Sequence, residues 1–195
     1  MGWRLVQRAL DMRAPARVAR PAATRAAVAA ILRTGQDGLE LLFIRRAEHE
    51  ADPWSGHISF PGGRSEPGDD GLVATATRET AEETGLDLQR DAELLGSLDE
   101  IRAVARGRPV DLTIAPFVFR LLRPARAAPN HEVVSLHWLP LERLLSPGSR
   151  GSVDYRHEGT TIRLPCLRID DLVIWGLTYR MFDNLRELVE AAGQA

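Results

Sequence analysis

Three glutamates crowd one predicted helix in this 195-residue chain. They stand at positions 79, 82 and 83 of the segment GRSEPGDDGLVATATRETAEETGL, residues 63–86. In an isolated helix, like charges three or four positions apart repel by on the order of a few tenths of a kcal/mol per pair. Such a cluster is either a solvated acidic face or a set of ligands for a cation that neutralises it.

Residues on both sides set the limits of this helix. Asp69 and Asp70 follow a Pro-Gly turn, and aspartate favours a helix start because it accepts free backbone N–H groups. Gly85 is a typical helix stop. We expect one side of the helix to pack against a sheet and to hold the glutamates rigidly on another side. The residues predicted to pack are Val73, Ala74, Thr77, Ala81 and Thr84.

The spacing of the three acids suits a divalent cation. Glu79 and Glu83 are four positions apart and can bind one ion, while Glu82 can reach a second ion or a bound water. Arg78 is placed to pair with Glu82 one turn on. A glycine-rich loop directly before the helix offers backbone groups to a phosphate, and this favours the cation interpretation over the solvated face.

Composition indicates a globular domain. Apolar residues make up 44%, charged residues 27%, and the net charge is −2. We expect one domain over residues 1–195, with an N-terminal helix and connector at 1–23 and a core at 24–195. The basic residues are scattered and nearly balanced by acids, so no nucleic-acid partner is expected.

Three sequence features bear on cellular location. A lone Cys166 excludes an internal disulfide and favours a packed thiol in a reducing compartment, so we expect the cytoplasm. Apolar runs such as residues 26–32 fall far short of the roughly 20 residues that cross a bilayer, so no membrane partner is expected. The Arg-rich first 25 residues resemble a transit peptide, but an N-terminal helix at 3–12 is preferred. The sequence leaves the oligomeric state open, a homodimer included.

Strand and helix patterns alternate irregularly, which is typical of an α+β domain with a mixed sheet. The second predicted strand could instead be a short buried helix, and residues 52–63 read as a loop with a brief strand at 57–60. Strands are predicted at 25–33, 39–46, 93–101, 110–122 and 132–141, a short helix at 141–145, a polar hairpin at 153–164, and an amphipathic helix at 175–192.

Gly63 and the run Arg-Glu-Thr-Ala-Glu-Glu-Thr-Gly-Leu at 78–86 resemble the Nudix box of Nudix hydrolases. That box reads Gly, five residues, Glu, seven residues, then Arg-Glu-apolar-any-Glu-Glu-any-Gly-apolar. Thr80 replaces the aliphatic residue, and the distance from Gly63 to the arginine is one residue longer than the pattern. Asp70 stands where the early glutamate would be, with Asp69 beside it, so the role of an early acid is undecided.

A narrower likeness points to the coenzyme A diphosphatase branch of the Nudix family. SGHISFPGGRSEPGD at 55–69 is similar to that branch, as are LLGSLDE, EVVSLHWLPL and IWGLTYRM further on. The branch usually precedes FPGG with LLTxR-Ser/Ala, three residues, Arg, three residues and Gly. LLFIRRA approximates the first part, Asp52 replaces the second Arg, and Gly56 matches.

The resemblance implies a Nudix-like α/β/α sandwich with a mixed sheet and a loop-helix-loop motif. It also implies hydrolysis of a diphosphate in a nucleoside diphosphate derivative, with coenzyme A or acyl-coenzyme A giving 3′,5′-ADP and (acyl-)4′-phosphopantetheine. The implied cofactor is Mg²⁺ or Mn²⁺, held by Glu79 and Glu83 with Glu82 and the Gly62 carbonyl assisting. Arg78 would orient the glutamates, and the proton acceptor is left open between Glu82 and Glu79.

Several residues outside the helix are substrate-binding candidates. Arg64 and Gly63 flank the glycine loop, Arg46 ends a strand near it, and His57 precedes FPGG. The arginines are equally well explained as surface charges, and a lone histidine is more often structural. Trp54, Trp138 and Trp175 are further candidates, either as core or pocket-wall residues or as a ring that stacks on a base. Glu132 is another candidate, because some Nudix proteins place an additional acid at this position.

Two other functions compete with coenzyme A hydrolysis. The same chemistry could act on a nucleotide sugar, a dinucleoside polyphosphate or a nucleoside triphosphate. A Nudix-fold protein could also bind a ligand without turnover. The intact glutamates weigh against that last hypothesis, because a pure binding protein has no need to bear their repulsion.

Overall fold

A computed structural model describes residues 2–49, 54–105, 108–157 and 159–194. Asp52 and the first part of the predicted 52–63 loop lie outside the described residues, as does position 158 in the predicted hairpin. The helices are α1 (Trp3–Asp11), α2 (Gly71–Thr84), α3 (Leu88–Asp91), α4 (Leu141–Leu145) and α5 (Gly176–Gln194), with a 3-10 turn at Pro147–Ser149.

The strands fall into two sheets. In chain order they are β1 (Thr24–Thr34), β2 (Leu39–Arg46), β3 (Ile58–Ser59), β4 (Gly62–Arg64), β5 (Ala92–Ser97), β6 (Ile101–Ala105), β7 (Arg108–Leu121), β8 (Val133–Pro140), β9 (Arg150–His157), β10 (Thr160–Ile169) and β11 (Leu172–Trp175).

Strand β1 is the centre of the larger sheet. It pairs in parallel with β7 and antiparallel with β2 and β4. Strands β5 and β6 both pair with β7, and β3 and β8 both pair with β2. The second sheet is the antiparallel set β9, β10 and β11. One parallel pairing among antiparallel ones makes the larger sheet mixed, as predicted.

Strand β1 is buried on both faces. Ala27, Ala29 and Ile31 face one apolar cluster with Ala76 of α2. The alternate residues at 26, 28, 30 and 32 face the other cluster, with residues of α1 and α5. A strand covered on both sides needs a continuous apolar run, which residues 26–32 provide. The sheet therefore lies between helical layers, and the predicted α/β/α sandwich is confirmed.

Most predicted elements have their expected type. Residues 39–46 form a strand rather than a buried helix, and the short helix, the polar hairpin and the C-terminal helix are all present. The predicted strand at 93–101 instead ends at Ser97, with one further hydrogen bond from the Leu98 N–H to the Pro116 carbonyl of β7, and β6 begins at Ile101. The elements α3, β4 and β11, and β6 beyond Ile101, were not predicted, because segments of three to five residues are too short to show a period.

The prediction of which side of α2 packs was partly wrong. Val73 is 36% exposed and Ala81 is also exposed, whereas Ala76 and Thr80 are fully buried. Threonine tolerates this environment because its hydroxyl donates back along the helix, from Thr80 Oγ1 to the Ala76 carbonyl at 2.7 Å. The buried side therefore runs along Ala76, Thr80 and Thr84 and includes the neighbouring Glu83.

Gly85 ends α2 as expected. Its backbone is left-handed, with φ 71°, and its N–H donates to the Ala81 carbonyl at 2.9 Å. This conformation costs glycine little because it has no Cβ.

The cysteine and the helices agree with what the composition indicates. Cys166 is a free thiol and only 1% exposed, as predicted. No helix within the described ranges combines the length and the apolarity that crossing a bilayer requires.

Gly62 allows β4 to lie directly against β1, and its replacement tests this packing. Its φ is +145°, and a Cβ there would lie 2.3 Å from the Ala27 carbonyl oxygen. We expect Gly62→Ala to lower the free energy of unfolding by about 3 kcal/mol or more, through backbone strain and overlap with backbone atoms. Gly68→Ala, where a Cβ would meet nothing within 4 Å, is the control. Equal urea midpoints for the two variants would contradict this account.

Candidate active site

The glutamate side of α2 faces the backbone of Gly62 and Gly63. The Gly62 N–H donates to Glu83 Oε2 at 2.8 Å. A Cβ on Gly63 would lie 2.5 Å from both carboxylate oxygens of Glu79. Gly63 therefore leaves the space that the Glu79 carboxylate occupies, Gly62 binds Glu83 through its N–H, and the loop and the helix form one acidic site.

Glu83 is a buried carboxyl group in this site, with 2% of its surface exposed. Burial raises its pKa from about 4.5 to about 7. The Gly62 N–H and Arg46, whose Nη1 lies 3.7 Å from Glu83 Oε1, oppose this rise in pKa. The charges of Glu79 and Glu132 add to it. Negative charge on Glu83 is therefore costly in the protein alone.

Glu79 is in a similar environment. Burial is the largest cause of its raised pKa, which the charge and hydrogen bond of Arg78 partly offset. The charges of Glu82 and Glu132 raise the pKa further. Glu132 thus acts electrostatically on both buried glutamates, and its backbone carbonyl is held by the N–H of Ala47 at 2.7 Å. The sequence analysis named Glu132 as a further acid, and the structure brings it to this site.

Arg78 connects the acidic residues. Its Nη1 lies 3.1 Å from Glu79 Oε1 and 3.3 Å from Glu82 Oε2, and its Nη2 donates to the Arg64 carbonyl at 3.0 Å. The guanidinium therefore ties the helix to the glycine loop through both a side chain and the backbone.

Asp69 fixes Arg78 from the other side. Its Oδ1 accepts from Arg78 Nε at 2.9 Å, and its Oδ2 accepts from the Glu66 N–H and from Thr75 Oγ1. These hydrogen bonds, that of Arg78 foremost, hold the pKa of the Asp69 carboxyl well below its usual range. Its side chain is only 6% exposed. Asp69 is therefore a charged anchor for the arginine.

Which aspartate is the early acid of the Nudix box depends on the direction of counting, because the segment is one residue longer than the pattern. Counting back from Arg78 reaches Asp70, which is exposed. Counting forward from Gly63 with five residues between reaches Asp69, as the Nudix pattern requires. The additional residue therefore lies between the early acid and the arginine.

The other predicted site residues differ in how close they lie to the buried glutamates. Arg46 reaches Glu83, and Gly62 and Gly63 line the site. Glu82 is held by Arg78 but its side chain is 55% exposed, and Arg64 is exposed. The His57 ring packs against Trp175, with ring centroids 4.6 Å apart.

The donor set fits a hard cation in its chemistry. Carboxylate oxygens are the ligands that Mg²⁺ and similar ions prefer, and the mostly buried Glu79 and Glu83 add their negative charge to that of the exposed Glu132. Among the described residues, no three His, Cys, Asp or Glu side chains already lie in a metal-binding arrangement. Instead, guanidinium and backbone N–H groups hold the carboxylates.

Comparison with known proteins identifies the family. The NUDIX domain family matches residues 23–157. The chain belongs to the Nudix family. The Nudix box, the mixed sheet and the assignment of the chain as a hydrolase of this family are thereby confirmed, while the coenzyme A branch stays a prediction.

Individual relatives agree with this assignment. The uncharacterized Nudix hydrolase NudL of Yersinia pestis is 31% identical over 152 residues, which cover 76% of this chain and 72% of NudL. An uncharacterized protein of Schizosaccharomyces pombe is 39% identical over 110 residues, 55% of this chain, and the match spans 33% of that protein. The structure of the Ap4A hydrolase of C. elegans aligns with a TM-score of 0.51 at 23% identity, covering 63% of this chain and 83% of that one. This last likeness concerns the fold.

The raised pKa of Glu83 predicts a pH-dependent stability. A carboxyl group whose folded pKa exceeds its unfolded value binds its proton more tightly when folded, so this contribution is complete below pH 4.5 and is lost as the pH rises through about 7. With divalent cations chelated, Glu83→Gln should therefore raise the free energy of unfolding at pH 8 by about 1 to 3 kcal/mol and change it little at pH 4.5.

Urea denaturation at both pH values measures this effect. Glu82→Gln is the matched control, since its exposed side chain should change the unfolding free energy by no more than about 0.5 kcal/mol. A Glu83→Gln protein that follows the wild-type pH dependence would contradict the assignment of Glu83 as a buried carboxyl group.

Asp69 should matter for activity through Arg78. We expect Asp69→Asn to lower hydrolysis by about 10- to 100-fold and to raise the divalent cation concentration needed for half-maximal activity, because partners of this kind orient the ligands. Asp70→Asn, at the exposed neighbouring position, should stay within about twofold of wild type. Titrating the cation against initial rate for both variants tests the prediction, and equal behaviour of the pair would refute it.

Proposed function

We propose that this Nudix hydrolase cleaves the diphosphate linkage of a nucleoside diphosphate derivative with the help of Mg²⁺ or Mn²⁺. One observation carries the proposal. Two mostly buried carboxylates, Glu79 and Glu83, converge on the Gly62–Gly63 backbone, where their charges are not fully balanced. A rigid acidic site beside a glycine turn suits a cation together with a phosphate.

Glu79 and Glu83 would hold the cation, with Glu82 and the carbonyl of Gly62 as the assisting groups. When bound, a divalent cation neutralises the negative oxygens of a diphosphate and makes an attacking water more nucleophilic. Because Glu83 is almost fully buried, charge stabilisation beside it is stronger than in solution.

The protein's own side chains have distinct roles in this proposal. Arg78 positions Glu79 and is itself held by Asp69. Arg46, next to Glu83, and Arg64, at the exposed edge of the glycine loop, would contact phosphate oxygens together with the Gly63 backbone. Glu82 and Glu79 are the two candidates for accepting a proton from water. The exposed Glu82 is the one more open to solvent.

Coenzyme A or an acyl-coenzyme A is the substrate we favour. The support is the likeness of residues 55–69 to the coenzyme A diphosphatase branch, including the longer spacing within the Nudix box. Cleavage of the diphosphate by water would give 3′,5′-ADP and the corresponding 4′-phosphopantetheine. The new P–O bond comes from water, and the bond that breaks joins the bridging oxygen to phosphorus.

A substrate panel with Mg²⁺ and with Mn²⁺ tests the proposal. The panel contains coenzyme A, a dinucleoside polyphosphate, ADP-ribose, a nucleotide sugar and a nucleoside triphosphate, and mass spectrometry identifies the products. Release of 3′,5′-ADP from coenzyme A as the fastest reaction supports the proposal. A faster reaction with another compound would replace the substrate, and no turnover of any compound would overturn the hydrolase function.

Single substitutions in the acidic site should abolish turnover without unfolding the protein. We expect Glu83→Gln and Glu79→Gln each to lower the rate by more than about 100-fold. This loss exceeds the one expected when a residue that only orients a metal ligand is replaced. Glu93→Gln is the control, since Glu93 lies on the distant edge strand β5 and pairs with Arg120. Circular dichroism verifies the fold. Activity of Glu83→Gln near that of the control would remove Glu83 from the cation site.

A further inference from the structure

Three aromatic rings from separate parts of the chain lie close together. The His57 ring lies 4.6 Å from the Trp175 ring, and the Tyr155 ring lies 5.5 Å from the Trp175 ring, centroid to centroid. His57 precedes β3, Tyr155 lies on β9, and Trp175 ends β11. We name these three residues the aromatic wall.

The pairing of β2 with β3 connects the aromatic wall to Glu83 through Arg46. Arg45 is opposite Ile58, and the ladder continues because the Arg46 N–H donates to the His57 carbonyl at 3.0 Å. Residues directly opposite in an antiparallel pair project to the same face. His57 therefore lies on the face from which Arg46 reaches Glu83. Arg46 therefore links the two, since its backbone N–H bonds to His57 and its guanidinium reaches Glu83.

The second sheet holds the aromatic wall in place. Leu167, Ile169, Leu172 and Ile174 of β10 and β11 are buried in the main core. Since side chains alternate along a strand, Trp175 projects away from the core face that Ile174 occupies. The half-buried Trp175 ring is therefore fixed by a packed strand while part of its surface stays accessible.

We propose that the aromatic wall binds the planar base of the nucleotide substrate, with Trp175 as its main stacking surface. The inference rests on the proposed function, because a nucleoside diphosphate derivative carries a flat base close to its phosphates. Phosphates bound at the acidic site place that base near the adjacent rings. Bases stack on aromatic side chains, and each such contact contributes about 5- to 100-fold in affinity.

Steady-state kinetics of Trp175 variants tests the proposal on whichever panel compound turns over fastest. We expect Trp175→Leu to raise KM about tenfold or more with a much smaller change in kcat, and Trp175→Phe, which keeps a ring, to restore most of the affinity. Inhibition by inorganic pyrophosphate, which has no base, should be unchanged in Trp175→Leu. Tyr155→Leu should raise KM in the same direction.

Trp3→Leu is the matched control. Trp3 lies on α1, and its Nε1 donates to Thr34 Oγ1 at the opposite end of β1 from the glycine contacts. Thermal denaturation verifies that each variant is folded. An unchanged KM in folded Trp175→Leu would overturn the proposal, as would an equal loss of affinity for the substrate and for pyrophosphate.

A binding experiment separates this inference from the proposed function. ADP is titrated into the Glu83→Gln protein, with and without Trp175→Leu, while tryptophan fluorescence is recorded. Saturable quenching that Trp175→Leu removes supports the aromatic wall even if no panel compound is hydrolysed. Quenching that is identical in both proteins, or absent from both, overturns it whatever the panel shows.

Discussion

The structure depends on the contact of two carboxylates, those of Glu79 and Glu83, with the glycine backbone that precedes α2. Glu79 and Glu83 lie against Gly62 and Gly63, and the Cβ of any other residue at these two positions would occupy the space of the Glu79 carboxylate or of β1 itself. Because these glycines have no Cβ, β4 can pair with β1 and α2 can lie against β4. One local sequence feature thus sets both the position of the helix and the geometry of its acids.

The acidic site is a cost to the folded protein that a bound ligand can relieve. Burial raises the pKa of both carboxyl groups, so ionising them near neutral pH works against folding. Arg78 lowers the cost at Glu79, while the Gly62 N–H and Arg46 lower it at Glu83. A cation that binds only the folded state stabilises it by mass action. If Glu79 and Glu83 hold a cation as proposed, the side chains that serve function are the ones whose charge lowers stability.

Local patterns were sufficient to predict much of the fold and the main acidic residues. The apolar run of β1, the aspartates and Gly85 around α2, and the repeat of α5 each have a period or an end signal that needs no tertiary contact. The packed side of α2 was partly mispredicted because Thr80 and Thr84 satisfy their hydroxyls within the helix and so can be buried. That environment depends on the sheet beside them, which the helical period alone does not describe.

Residues that meet only through strand pairing were beyond the reach of local patterns. His57 and Trp175 are 118 positions apart in the sequence. Their rings are in contact although β3, which follows His57, belongs to the larger sheet and β11, which ends at Trp175, belongs to the smaller one. The composition of the hairpin formed by β9 and β10 indicated only a polar, exposed element. Its neighbour β11 packs against the core and ends at Trp175, so the smaller sheet both covers the core and brings the Tyr155 and Trp175 rings together. If the aromatic wall binds the base as proposed, the smaller sheet supplies a binding surface that the Nudix box itself does not contain.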